Sequence, residues 1–367
     1  MSLRILGLGT AVPQYAVNQN ESTILSEWVN ADSPERAALI QRIQRRSQVK
    51  RRRSVLLINE RGETIQERLP FYGVKDPSTN ERMQKYRIHA SSLAINACQL
   101  ALEETSIAPN LITHLITVCC TGFHAPGVDF DLIETLELNP SVQRTQIGFM
   151  GCHAAMNALR VAHAFVEADP DAIVLVCAVE LCSLHLQYGW EPEQVVANTL
   201  FADGAAALVA SGTTQKWMNK TKKSLTLWGS GSTVIPNTRD LMHWQIGDHG
   251  FSMGLSPKVP DAIAKTLKPW LNDWLLKYGL DQNIIQNWAI HPGGPRILQA
   301  CAEALELQED QLATSRFILS EYGNMSSATV LFVLHHMQQQ ECIGPTLALA
   351  FGPGLCAEVA LLDISSN

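Results

Sequence analysis

Three residues carry side chains that together support covalent acyl chemistry: Cys152, His291 and Asn324. Cys152 follows Gly151 and opens GCHAAMNALRVAHAFVEA, whose small residues and apolar spacing read as the start of a helix. A cysteine there is placed where the helix macrodipole favours the thiolate, and a nearby imidazolium lowers its pKa further, giving a nucleophile at neutral pH. His291 ends an apolar run and is followed by Pro292, Gly293 and Gly294, a loop in which backbone can approach a ligand closely. Asn324 also follows a glycine, Gly323, just before the helix-like SSATVLFVLHHMQQQ. An amide and an imidazole can both donate hydrogen bonds to a thioester carbonyl as charge develops on its oxygen, which suits chemistry passing through an enolate. Cysteine proteases use the same residue types, so the set alone does not settle the reaction. Each residue also has a plain structural reading: Cys152 as a small filler, His291 as a cap on a buried strand, Asn324 as an N-cap.

To bring these three together, strands must end and helices must begin at one place. Segment 90–105 has helical periodicity, and LITHLITVCC, after a Pro-Asn break, reads as a buried strand. The helix beginning near Cys152 is followed by AIVLVCAVEL, a second continuous apolar run of buried-strand type. The first half closes with LFADGAAALVAS, two short apolar runs around an Asp-Gly turn signal. The order then repeats: PDAIAKTLKPWLNDWLLKYG is helix-like, IIQNWAIHPGG is a strand running into a loop, SSATVLFVLHHMQQQ is helical, and TLALAFGPGLCAEVALLD is two strands around a Gly-Pro-Gly turn. Register repeats with order, since 32 positions separate Cys120 from Cys152 and 33 separate His291 from Asn324. The pattern predicts two α/β halves, 1–215 carrying the cysteine and 216–367 carrying the histidine and asparagine, each with mostly parallel, buried strands. Ligands bind at the carboxyl ends of strands in such units, and a pseudo-twofold would set Cys152 facing Asn324.

The 367-residue length suits two fused units, and the balance of 46% hydrophobic to 17% charged residues argues against disorder or a long flexible linker. A net charge of −7 disfavours general nucleic-acid binding. Against that background Arg42, Arg45, Arg46, Lys50, Arg51, Arg52 and Arg53 form a local basic run, which reads either as a solvated helix end or as a rim for an anionic ligand. The start MSLRILGLGTAVPQ lacks the long apolar core of a signal peptide, and no stretch of eighteen or more apolar residues occurs, so a cytosolic protein without a membrane span is expected. Nine cysteines, mostly in apolar segments and without a CxxC pair, suit reduced thiols. No metal or redox cofactor is implied.

Five segments in order, GFMGCHAAMNALR, LFADGAAALV, AIHPGGPRIL, EYGNMSSATVLF and FGPG, resemble the motifs of the chalcone synthase-like, or type III, polyketide synthases from Arg42 to Ala357. The resemblance implies a thiolase-like fold layered α-β-α-β-α, acyl-CoA and malonyl-CoA as substrates, no acyl carrier protein, and a homodimer. It implies that Cys152 accepts the starter acyl group while His291 and Asn324 orient malonyl-CoA, promote its decarboxylation and stabilise the enolate. Phe201 matches the aromatic gate between the coenzyme A entrance and the cavity, and Met253 the second gate position, a phenylalanine in plant members. Arg42 and Arg46 match basic positions that contact coenzyme A, with Gly293, Gly294 and Arg296 assigned to the same ligand. Cys120 and Cys182 stand where plant enzymes carry threonine and Ala125 where they carry methionine, which resembles bacterial members that take long acyl chains and release alkylpyrones or alkylresorcinols. His185, Trp244 and Ser326 are further lining positions that narrow or polarise the cavity, and Ala350 replaces the glycine before FGPG. A ketoacyl-synthase making a single condensation, a cysteine thioester hydrolase and a non-catalytic acyl-CoA-binding protein are the rival readings.

Overall fold

A computed structural model describes residues 2–366 apart from 61, 63, 74 and 213–222. The expected junction between halves at 215/216 lies outside the described residues. The strands are β1 (Leu3–Ala11), β2 (Ala16–Asn18), β3 (Arg51–Arg53), β4 (His114–Cys119), β5 (Gln143–Gly148), β6 (Ile173–Leu181), β7 (Asp203–Gly212), β8 (Lys223–Val234), β9 (Met242–Gly247), β10 (Gly250–Leu255), β11 (Asn287–Ile290), β12 (Gly344–Gly352) and β13 (Cys356–Ser366). The helices are α1 (Gln19–Asn30), α2 (Pro34–Ser47), α3 (Ile65–Arg68), α4 (Thr79–Glu103), α5 (Val128–Thr135), α6 (Ala154–Ala168), α7 (Pro192–Leu200), α8 (Val259–Leu276), α9 (Pro295–Leu305), α10 (Ala313–Tyr322) and α11 (Thr329–Gln339). Among the described residues, no helix is long and apolar enough to cross a membrane.

Nine strands hydrogen-bond in the order β11-β12-β13-β8-β1-β7-β6-β4-β5. The strands of the two halves meet at a short ladder, Leu3–Ile5 of β1 against Leu225–Leu227 of β8. Where mostly parallel strands were expected, the pairing is mixed. It is parallel at the two ends, β11 with β12 and β6–β4–β5, and antiparallel through the middle. A strand covered on both faces shows the same continuous apolar run whichever way its neighbour points, so burial does not reveal direction.

Period-two alternation divides the core into three. Along β6, Val174, Val176 and Ala178 face a central layer, while Ile173, Leu175, Cys177 and Val179 face an outer one. The central layer holds α6 and α11, packed between the strands of both halves. On the outside, α4 covers the first half's strands, and the core under the second half's strands includes residues of α8 and α9. Helix, sheet, helix, sheet, helix is therefore the observed layering, and the chain has the expected α/β, thiolase-like fold.

Two local readings change. The long helix starts at Thr79 rather than near 90, where Ser78 and Glu81 form a reciprocal capping box; its first turns are polar and hide the apolar period. Asp203-Gly204 is not a turn but the start of β7. Asp203 is fully buried and accepts from the Ser183 N–H at 2.7 Å, the Ser183 hydroxyl at 2.6 Å and the Val55 N–H at 2.8 Å, which draws the dipeptide into the sheet.

Candidate active site

The nucleophile candidate sits on a strained turn. β5 ends at Gly148; Phe149 and Gly151 then take φ of +57° and +75°, and a 3₁₀ turn, Gly151–His153, leads into α6. A Cβ on Gly151 would lie 2.4 Å from Pro353 Cδ, so only glycine lets the β12–β13 turn press against it. Asn324 stands on the matching joint of the second half. Gly323 has φ of +73°, and a 3₁₀ turn, Ser326–Ala328, leads into α11. The two turns pack on one another at the head of the central helices, as the repeated register predicts.

Asn324 ties the site together. Its N–H donates to Leu200 O at 2.8 Å and its carbonyl accepts from the Ala202 N–H at 2.9 Å, forming a parallel bridge with Phe201. Its Oδ1 accepts from the Ser326 N–H at 2.9 Å, and its Nδ2 donates to the Gly293 carbonyl at 3.4 Å. The same side chain is close enough to the Cys152 thiol to lower its pKa. His291 closes β11, with its N–H on Leu349 O at 2.7 Å, and its ring is buried with neither nitrogen hydrogen-bonded among the described residues.

The electrostatics differ from the expectation of a thiolate–imidazolium pair. Burial, with a smaller contribution from neighbouring His153, lowers the His291 pKa to about 3, so the ring is neutral. Burial also pushes the Cys152 thiol up to about 11. Neighbouring Ser326 opposes this, the buried Glu180 carboxylate adds to it, and Asn324 opposes it again. Desolvation outweighs the macrodipole here, because the short turn before α6 lies within a pocket of apolar and thiol side chains.

That pocket is lined by Cys120, Cys152, Cys182, Phe201, Met253 and Ser326 among others, with Trp244 beside them. Trp244 and Met253 are direct cross-strand partners on the β9–β10 hairpin, which places both side chains on one face. The Trp244 indole N–H donates to Cys120 O at 2.7 Å. His185 stacks on Phe251 with centroids 4.2 Å apart; its Nδ1 accepts from the Phe251 N–H at 3.0 Å, so its Nε2–H donates to Thr121 O at 2.7 Å. Ser326 Oγ lies 3.0 Å from Cys120 Sγ.

Glu180 and Phe251 escaped the sequence reading. Glu180 is fully buried, accepts from the Cys120 N–H at 3.1 Å, from the Thr121 hydroxyl at 2.7 Å and from the Ser327 hydroxyl, and its pKa is raised by burial. A single carboxylate within the otherwise apolar AIVLVCAVEL was the available signal. Phe251 carried no signal beyond its position in the hairpin.

Two further spaces adjoin the pocket. An outer cleft is lined by Arg46, Leu200, Gly293, Gly294 and Arg296. An inner cavity of about 50 Å³ shares Cys182, Phe201, Trp244 and Met253 with the pocket and continues along Val17, Leu25, Leu57, Leu69 and Ala197. Leu200 faces the cleft and Phe201 faces the inner spaces, so the end of α7 lies between them. Two assigned residues fall elsewhere. Arg42 is exposed one turn before Arg46 and outside the cleft wall, and Ala125 is exposed on the surface rather than in the pocket wall.

Residues 2–213 match the N-terminal domain of the chalcone and stilbene synthases, and residues 226–365 match the C-terminal domain. The chain is 33% identical over 364 residues to "Alpha-pyrone synthesis polyketide synthase-like Pks18" of Mycobacterium tuberculosis, covering 98% of this chain and 91% of that protein. Its fold superposes on the C-terminal type III polyketide synthase domain of Steely1, a type I/III hybrid from Dictyostelium, with a TM-score of 0.90 at 29% identity and 99% coverage of both chains. It superposes on PKS-I of the brown alga Ectocarpus siliculosus with a TM-score of 0.88 at 30% identity, covering 99% of this chain and 98% of that one. With a cysteine, an asparagine and a histidine gathered where the two halves of a thiolase-like fold meet, and with both halves matched in order, this chain belongs to the chalcone and stilbene synthase family of type III polyketide synthases, which are condensing acyltransferases.

Proposed function

We propose that the protein loads a medium- or long-chain acyl group from coenzyme A onto Cys152, extends it with malonyl-CoA and closes the product to a pyrone or resorcinol. The observation that carries the reading is the meeting of Cys152, Asn324 and the His291 loop beside a pocket from which a largely apolar chamber continues. Coenzyme A lies in the cleft against Arg46, Arg296 and the Gly293–Gly294 backbone, and Phe201 parts the cleft from the interior. Neutral His291 accepts the Cys152 proton as sulfur attacks the acyl carbonyl, then returns it to the departing coenzyme A thiolate. In the next step an imidazole N–H and the Asn324 amide donate to the malonyl thioester oxygen; carbon dioxide leaves, and the enolate carbon attacks the acyl carbonyl on Cys152, breaking its C–S bond so that the Cys152 thiolate departs and the extended chain remains on coenzyme A.

Leucine and valine side chains along the chamber suit an alkyl starter. Trp244 walls the catalytic pocket and, with His185 and Phe251, the adjoining cavity, which favours few extensions and supports a short pyrone over a larger ring. The name of the mycobacterial relative points the same way. The reading includes a homodimer, supported by exposed Phe123, Phe130 and Met150 near edge strand β5.

Mass spectrometry of products from malonyl-CoA with acetyl-, coumaroyl-, decanoyl- and palmitoyl-CoA tests this. Alkylpyrones or alkylresorcinols from the alkyl starters, absent with Cys152→Ala, are expected. Free fatty acid alone would indicate a hydrolase, a single ketoacyl product would indicate the ketoacyl-synthase reading, and pyrones only from the aromatic starter would overturn the substrate class.

A further inference from the structure

The residue after the nucleophile is itself anchored. His153 is 2% exposed, and its Nδ1 lies 2.8 Å from Asn157 Oδ1. The Asn157 amide nitrogen donates to Glu358 Oε1 at 3.0 Å, which orients the amide so that its oxygen faces the imidazole; Nδ1 therefore carries the proton and donates. Glu358, buried on β13, also accepts from Arg160 Nη1 at 2.8 Å and the Ser232 hydroxyl at 2.7 Å. On its other side the imidazole packs against Gly352, where a Cβ would come within 2.2 Å of His153 Cδ2. Gly151 is pressed by the adjoining Pro353. The turn that carries Cys152 is thus held at both ends, whereas Asn324 is held by a different set, Leu200, Ala202 and Gly293.

We propose that His153 is a positioning residue for Cys152: its bond to Asn157, itself fixed by Glu358, sets the rotation of the Gly151–His153 turn and so the direction of the sulfur. This rests on the function proposed above. Starter loading depends on that direction, because a misplaced nucleophile loses its approach to the acyl carbonyl. Malonyl-CoA decarboxylation, which needs His291 and Asn324 but no bond to sulfur, does not.

Two variants separate this from a structural role. His153→Phe keeps a ring against Gly352 and removes the donor; Asn157→Leu keeps the imidazole and removes its acceptor, and carries the test alone if the first does not fold. Acylation of Cys152 by decanoyl-CoA is followed by rapid mixing and intact-protein mass, and decarboxylation by acetyl-CoA release from malonyl-CoA. The expected result in both variants is an acylation rate constant lower by about tenfold or more with KM for decanoyl-CoA within about twofold of wild type; in Asn157→Leu, which leaves the imidazole beside His291, the decarboxylation rate also stays within about twofold. Unchanged acylation in either variant, or acylation and decarboxylation falling in parallel in Asn157→Leu, overturns the proposal. If the wild-type protein neither acylates nor decarboxylates, it is the functional reading that fails.

Discussion

At the scale of single residues, enclosure favours the uncharged forms of Cys152 and His291, the proposed reactive pair, pushing the thiol up to about 11 and the imidazole down to about 3. Alkylation of Cys152 by iodoacetamide, followed by peptide mass, is therefore expected to keep accelerating above pH 9, with a midpoint well above the ~8.5 of a free cysteine. A midpoint at or below pH 8 would show a thiolate–imidazolium pair instead. The depressed histidine also contributes to stability with a definite sign. An unfolded imidazole takes up a proton near pH 6.5 and the folded one only near 3, so this contribution is complete above about pH 6.5 and is lost as pH falls through that interval. Cys152, His291 and Asn324 were legible because each interrupts a clear pattern beside a glycine or a Pro-Gly-Gly loop. The charge states were not, because they follow from enclosure by Cys120, Cys182, Met253 and other residues distant in the chain.

At the scale of elements, the proposed function assigns to the aromatic wall the limit on how far the growing chain extends. Trp244→Ala removes the cross-strand partner of Met253 and the donor to Cys120 O, and opens space next to Cys152. The expected outcome is a shift toward products longer by at least one malonyl unit, read by product mass spectrometry; an unchanged distribution would place the limit elsewhere. The hairpin on which this wall stands lay unread in the sequence, because both strands are short, β9 is half exposed, and their register comes from pairing. The β12–β13 pair around Gly-Pro-Gly was legible from two long apolar runs, and α11 from its periodicity. Asp203-Gly204 misled because the burial of its carboxylate depends on Ser183 and Val55, which no local pattern reveals.

At the scale of the molecule, a repeated arrangement brings Cys152 and Asn324 together. Gly151 with Cys152 and Gly323 with Asn324 repeat one joint, and α6 and α11 carry both joints into a shared central layer. The order of elements and the spacing of 32 and 33 positions made this legible. Strand direction was not, since both faces of β6, β7 and β12 are buried whatever their neighbours do. The central claim is a division of labour within one site, Cys152 carrying the acyl group while His291 and Asn324 decarboxylate malonyl-CoA. The most direct measurement is peptide mass spectrometry after decanoyl-CoA, beside acetyl-CoA release from malonyl-CoA, in wild type, Cys152→Ala, His291→Ala and Asn324→Ala. The account predicts that Cys152→Ala loses the acyl adduct yet still decarboxylates, and that Asn324→Ala and His291→Ala lose decarboxylation while the Asn324 variant keeps its adduct. An adduct on another cysteine, or decarboxylation that survives without both His291 and Asn324, would contradict it.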